Sequence, residues 1–174
     1  MVIITDEELV TNFRHTGDIK FFEELVDRYK DNIYNFTLRY LSHREDSEDI
    51  VQNIFVKVYF KLDKYDETKA SFKTWIYRVS KNTIYNKFRE RKLSSLDFEI
   101  TDPHKEEDTY ERENLVQTAL NKIGKKYKIV LLMYYMEGFS YNEISEILNL
   151  PLGTVKTRIK RAKGAIKNEL NGYI

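Results

Sequence analysis

The sequence predicts an all-α protein: two small helical domains joined by a flexible linker, the second carrying a helix-turn-helix. Three observations point there. Only six glycines and two prolines occur in 174 residues, too few for the turns of a many-stranded sheet. Apolar residues recur at helical spacing, repeatedly opened by a hydroxyl residue three positions before a glutamate. One stretch, Leu93–Thr101, is short and aperiodic and separates two such helical series. The expected domains are residues 1–92 and 102–174, with 93–101 an acidic linker continuing into the start of the next helix.

Thr5 with Glu8 makes a capping box that opens a helix through Phe13. Asp18, after Gly17, caps a second helix with Phe21, Phe22, Leu25, Val26, Tyr29, Ile33, Phe36 and Tyr40 in helical period. Ser42 with Glu45 repeats the box for a third helix running to about Leu62, with the stripe Ile50, Val51, Ile54, Phe55, Val58 and Leu62. Its opening turn is acidic, which suits the helix dipole. Asp63–Ser71 is polar and breaks the period, as a loop does.

A fourth helix covers SFKTWIYRVSKNTIYNKFRERK, with Trp75, Ile76, Val79, Ile84 and Phe88 inward and the basic residues Arg78, Lys81, Lys87, Arg89, Arg91 and Lys92 set against the single acid Glu90. Phe72, Trp75, Tyr77 and Tyr85 interleave with those charges. Exposed rings among cations suit unpaired DNA, where each stacked base is worth about 1–3 kcal/mol. The plainer alternative is an amphipathic core helix with its rings buried, and taken singly each ring favours it.

Beyond the linker, Asp102–Pro103 starts a helix with proline in its first turn, followed by the acidic run Glu106, Glu107 and Asp108. Leu115, Val116, Ala119, Leu120 and Ile123 form its stripe, and Gly124 is expected to end it. Tyr127–Met136 is the central helix of the second domain. Ser140 and Glu143 cap the next, with Ile144, Ile147 and Leu148 on one face. Asn149 and Pro151–Gly153 break the pattern before a helix with Val155, Ile159, Ala162 and Ile166 inward and Lys156, Thr157, Arg158, Lys160, Arg161 and Lys163 elsewhere. A short helix, a tight turn and a basic second helix form the shape that enters a major groove. A helical hairpin with a solvated charged face would share much of this pattern.

Charge is distributed unevenly. The formal net charge of +1 hides +1 over Met1–Lys92, −6 over Leu93–Glu113 and +6 over Asn114–Ile174. A chain so near neutral does not bind nucleic acid by bulk charge alone. No apolar run approaches the roughly 20 residues of a membrane span. The N-terminus lacks the basic flank and cleavage site of a secretory signal. With no cysteine there is neither a disulfide framework nor a thiolate metal site, and a cytoplasmic location is the expectation.

No catalytic constellation emerges, so no enzymatic activity and no cofactor are expected. His15, His43 and His104 lie far apart without metal-ligand spacing. Lys125–Lys126 follows a single glycine, unlike a phosphate-cradling loop. The acidic turn Glu45–Asp49 has no partner cluster with which to hold a metal.

Four segments, FFEELVDRYKDNIYNFTLRYL, REDSEDIVQNIFVKVYFKL, SFKTWIYRVSKNTIYNKFRERK and GFSYNEISEILNLPLGTVKTRIKRAK, stand in an order that resembles the extracytoplasmic-function group of bacterial sigma factors. Together they cover nearly the whole chain. The resemblance implies sigma domains two and four, without other sigma modules and without a fused domain beyond Ile174. It places core-polymerase contacts at Asp46, Asp49, Gln52, Asn53 and Phe55. It places −10 contacts at Lys64, Tyr65 and Lys69 of the loop, which would capture a flipped base, and at Trp75, Arg78, Asn82 and Tyr85 of the melting helix. It places −35 contacts at Pro151, Gly153, Thr154, Lys156, Thr157, Lys160 and Arg161. It implies core RNA polymerase, promoter DNA and an anti-sigma factor as partners, the last able to hold the chain at a membrane into which it does not itself insert. The acidic linker resembles a segment threading toward the RNA exit path. Two departures stand out: the loop YDETKASF contains no glycine, and Ile123–Gly124 replaces the usual leucine–proline. The alternative function is a stand-alone dimeric helix-turn-helix regulator, and a helical adaptor without DNA contact is a third.

Overall fold

Thr5 opens the first helix as expected: its hydroxyl accepts from the Glu8 N–H while the Glu8 carboxylate accepts from the Thr5 N–H at 2.7 Å. This α1 spans Asp6–Thr16 and ends at Gly17 in the left-handed region, φ 67°. The structure is a computed structural model that describes residues 4–94 and 111–171, with side chains for 4–90 and 115–171. The linker 93–101, the Asp102–Pro103 helix start and the run Glu106–Asp108 thus fall wholly or largely outside the described residues.

Helix α2 (Ile19–Leu41) is capped by Asp18, and α3 spans Arg44–Lys61. The expected Ser42 box is not the cap of α3. Ser42 instead terminates α2 with φ 59°, and the His43 imidazole Nδ1 accepts from the Asp46 N–H at 3.3 Å. Both serve as caps, but the end of α2 claims the serine first. A single 3₁₀ turn, Leu62–Lys64, leads to the loop and then to α4, Phe72–Ser94. Helices α1 and α4 pack against the α2–α3 pair over Leu25, Ile33, Phe36, Ile50, Ile54, Leu62, Phe72 and Ile76, all buried.

The second region holds α5 (Glu111–Lys122), α6 (Lys125–Leu131), α7 (Tyr141–Leu148) and α8 (Leu152–Asn171). Gly124 does not cap α5 in the left-handed region. It precedes α6 with φ −60° and ψ 142°, a backbone that proline would also adopt. The central helix is present but changes register: Leu132–Met136 is a π segment, and the Glu137 N–H reaches back to the Leu132 carbonyl. Ile129, Val130, Met133, Ile144, Ile147, Val155 and Ile159 form the core here.

The two regions meet along a seam. Helix α4 lies against α7, and α2 lies against α6 and the π segment. The Tyr77 ring is sandwiched between Phe36 at 5.3 Å and Phe139 at 4.9 Å, centroid to centroid. Its hydroxyl donates to the Glu137 carboxylate. Lys73 Nζ donates to the Glu137 carbonyl at 2.6 Å and lies 4.8 Å from the Phe139 ring centre. Farther along, Lys125 Nζ stands 3.8 Å from the Phe88 ring centre, and Gln117 donates to the Arg39 carbonyl at 3.1 Å.

Candidate nucleic-acid interface

Local chemistry fixes the helix-turn-helix. The Ser140 hydroxyl accepts from the Glu143 N–H and the Glu143 carboxylate accepts from the Ser140 N–H at 2.8 Å, so α7 begins with two satisfied donors. Asn149 turns the chain at φ 52°. The Ser145 hydroxyl donates to the Leu150 carbonyl at 2.5 Å, and the Pro151 carbonyl accepts from Thr154 and Val155 as α8 starts. Val155, Ile159 and Ala162 bury the inner face of α8. Pro151, Gly153, Lys156, Thr157, Lys160 and Arg161 are exposed and Thr154 is half-buried, so the expected −35 set shares the solvent side. The Thr157 hydroxyl donates to the Gly153 carbonyl at 2.8 Å and stays close to the helix.

The loop before α4 needs no glycine because no residue in it has positive φ. Asp66 builds it instead, accepting from the Thr68 hydroxyl at 2.6 Å and the Thr68 N–H at 3.1 Å. The Thr68 hydroxyl and then Lys69 hold the Asp66 carboxyl down at about 2. Lys64 and Lys69 are exposed, with Lys69 paired to Asp66 at 3.0 Å. Tyr65 is only 4% exposed, and its hydroxyl contacts the Glu7 carboxylate and the Ala70 carbonyl at 3.1 Å each. Packed on Phe72 and Trp75, it shapes the loop and leaves no face for a stacked base.

Along α4, Asn82 and Tyr85 are exposed while Trp75 and Arg78 are half-buried. Phe72 and Tyr77 are fully buried, so for these two rings the amphipathic-core alternative holds. The Arg78 Nε is buried without a hydrogen-bond partner, and burial together with Arg78 lowers the Lys81 pKa.

On α3, Asp49, Gln52 and Asn53 are exposed, although the Asn53 side chain donates back to the Asp49 carbonyl at 2.9 Å. Asp46 is half-buried beside His43, and Phe55 is half-buried against the core. Two residues outside the expected set stand on the outer face: Val56, 53% exposed, and Phe60, 75% exposed. Both fall out of phase with the inward stripe, which is the sequence signal that marks them. Among the described residues, no group of three or more His, Cys, Asp or Glu converges to hold a metal, and no helix is long and apolar enough to cross a membrane.

Comparison with known families matches sigma-70 region 2 over residues 25–93 and sigma-70, region 4 over residues 113–166. The chain is 34% identical over 171 aligned positions to the ECF RNA polymerase sigma factor SigW of Bacillus subtilis, covering 88% of this chain and 91% of that one. The chain belongs to the extracytoplasmic-function sigma factors. It is also 31% identical to the ECF RNA polymerase sigma-E factor of Escherichia coli K12, over 98% of this sigma factor and 97% of that one. As a sigma factor it directs promoter-specific transcription initiation. Its fold is similar to the Bartonella quintana sigma factor RpoE solved with the anti-sigma factor NepR, with TM-score 0.74, 22% identity and coverage of 87% and 98%. The same holds for CnrH solved with the cytosolic domain of CnrY, with TM-score 0.74, 23% identity and coverage of 96% and 97%. In this sigma factor the region 2 match begins inside α2, leaving α1 outside it, and the region 4 match contains the helix-turn-helix.

Proposed function

We propose that the two helical regions divide the work of initiation. The outer face of α3, with Asp46, Asp49, Gln52 and Asn53, holds core RNA polymerase. The loop with Lys64 and Lys69, and α4 with Trp75, Arg78, Asn82 and Tyr85, meet the −10 element and hold it open. Base capture there offsets a few kcal/mol of lost stacking. The exposed face of α8, with Lys156, Thr157, Lys160 and Arg161, reads the −35 element. A good bidentate base contact discriminates by about 1–3 kcal/mol. The chain performs no chemistry and works in the cytoplasm. Residues 1–92 and 102–174 act as its two modules.

The observation that carries this reading is the two-sidedness of α8. Its apolar side is anchored in the second core, while Lys156, Thr157, Lys160 and Arg161 are exposed on the opposite side of a capped helix-turn-helix. An anti-sigma partner, of the kind bound by the Bartonella and CnrH relatives, fits a protein with two such separable surfaces.

Capture of core polymerase followed by run-off transcription on genomic fragments tests the reading. Lys160→Ala or Arg161→Ala should weaken −35 recognition and leave core binding intact, whereas Asp49→Ala or Gln52→Ala should do the reverse. Equal loss of core binding in both sets would refute the division. Failure of the chain to direct the core to any promoter would favour a self-standing helix-turn-helix regulator.

A further inference from the structure

Helix α1 lies outside the residues matched to region 2, yet it holds both ends of the loop proposed to meet the −10 element. Arg14 Nη2 donates to the Leu62 carbonyl at 2.5 Å and to the Tyr65 carbonyl at 2.6 Å, where α3 gives way to the loop. The Glu7 carboxylate accepts from the Phe72 N–H at 3.2 Å, where the loop gives way to α4, and from the Tyr65 hydroxyl at 3.1 Å. Each charge matches the helix end it meets. A cation faces the carbonyl end of α3, and an anion faces the N–H that opens α4. Burial, with the Glu7 charge behind it, raises the Tyr65 pKa, so the phenol stays a donor.

Helical spacing sets the span of this clamp. Glu7 and Arg14 stand seven positions apart on α1, two turns along one face, a rise of about 10.5 Å. The ten steps of chain from Leu62 to Phe72 would reach about 33 Å if extended. The helix that draws those ends together is itself anchored. Leu9 and Val10 are buried, and Asp6 accepts from the Tyr29 hydroxyl at 2.5 Å and from Arg28 of α2 at 2.8 Å. Between the fixed ends, Asp63, Lys64, Glu67, Thr68 and Lys69 stay on the surface. The Asp66 turn shapes the middle of the loop; α1 fixes where it starts and stops.

We propose that Glu7 and Arg14 are positioning residues for −10 recognition: by holding the two ends of residues 62–72 they set the shape in which the loop meets an unpaired base. The inference rests on the reading that this loop meets the −10 element, and it brings into that reading a helix that touches no DNA. Fixing a recognition loop before binding lowers the ordering cost that binding would otherwise carry. It also disfavours any base that requires a different loop shape. A loop without glycine owes its form to partners far away in the chain: the shortest of these links, Arg14 to Leu62, spans 48 residues.

The test uses holoenzyme reconstituted with core polymerase, on promoter fragments from which it initiates and in which each −10 position is changed in turn. Glu7→Ala and Arg14→Met, assayed below their melting temperatures, should each shrink the preference for the best over the worst −10 base about fivefold, the net worth of one hydrogen bond. Core capture and the ranking of −35 sequences should not change. Glu7→Gln keeps an oxygen for the Phe72 N–H and the Tyr65 hydroxyl, and should keep the wild-type −10 ranking. Ile33→Val, a buried change on α2 that removes none of these bonds, should lower the melting temperature and keep the ranking too. If Lys64→Ala and Lys69→Ala flatten the −10 ranking while Glu7→Ala and Arg14→Met do not, α1 serves stability alone and this inference falls by itself. If none of the four flattens it, the loop does not read the −10 element, and the functional reading falls with the inference. Arg14 is itself exposed, so affinity is also measured across a salt series. A slope of log K against log salt reduced by about 1 in Arg14→Met, with −10 preference intact, would make Arg14 a phosphate contact and overturn its positioning role.

Discussion

The Lys128 ammonium donates to the Ser42 hydroxyl oxygen at 3.2 Å and to Asn121 Oδ1 at 2.7 Å, tying the second helical region to the end of α2. Lys128 is 4% exposed, and both of these acceptors are neutral oxygens. Burial, with help from Lys125, lowers its pKa from 10.5 to about 8. The unfolded chain therefore holds this proton more tightly than the folded one, so stability rises as pH climbs from about 8 toward 10.5. Lys128→Met should raise the melting temperature at neutral pH, by at most about 3 kcal/mol equivalent at 1.36 kcal/mol per unit. The advantage should fade toward the alkaline end of that window. Paired melts of both proteins across the pH range check it.

Glu137 works in the opposite sense. Burial raises its pKa against the pull of Tyr77 and Lys73. Its raised folded value makes the seam tightest on the acid side, and that increment is lost as pH rises through the folded pKa. Glu137→Gln should keep the seam closed with little pH response, while Tyr77→Phe should loosen it. A lone buried acceptor costs about 1–3 kcal/mol. Energy transfer between dyes on α3 and α8 reads the difference.

Phe60 stands one helical turn beyond Val56 and two beyond Gln52, with three-quarters of its surface in water. A large exposed ring of this kind marks an interaction surface. Phe60→Ala should leave the melting temperature unchanged and weaken capture of core polymerase more than tenfold, since truncating an interface aromatic hot spot costs about 2 kcal/mol or more. Competition for a limited amount of core enzyme measures it.

Ser140→Ala removes the acceptor for the Glu143 N–H and leaves the Glu143 carboxylate without its hydroxyl donor at 2.7 Å. The expected cost is about 1 kcal/mol. For a chain of this size that is a fall of about 2–4 °C in melting temperature. Calorimetry of the full chain checks the shift, and the weakened α7 should also lower −35 affinity.

What the sequence made legible was mostly local. Thr5 with Glu8, Asp18, and Ser140 with Glu143 each act within one turn, so spacing alone located them. Ser42 misled because a hydroxyl ahead of Glu45 satisfies the box pattern while the same residue ends α2. Gly124 misled for a related reason: a glycine between helices can close one or precede the next. The change of register at Leu132–Met136 leaves no composition signature. Tyr77 was ambiguous because its partner Glu137 lies 60 residues away, a distance no helical period spans. On α8 the inner stripe was plain, yet the neighbourhood of Lys126 and Tyr127 with Arg158 and Arg161 arises only where α6 packs on α8.

The contact between the Tyr77 and Phe139 rings bears on promoter length. Elements named for positions ten and thirty-five lie about 25 base pairs apart, or about 85 Å at 3.4 Å per pair. Here α4 and α7 touch, with ring centres 4.9 Å apart. The closed form cannot straddle such a span, so engagement of both elements must be thermodynamically linked to parting of the rings. Because one covalent chain carries both halves, dilution cannot part them. Only a binder that prefers the extended arrangement can, and a closed-to-open ratio of 99 to 1 would weaken its apparent affinity about a hundredfold.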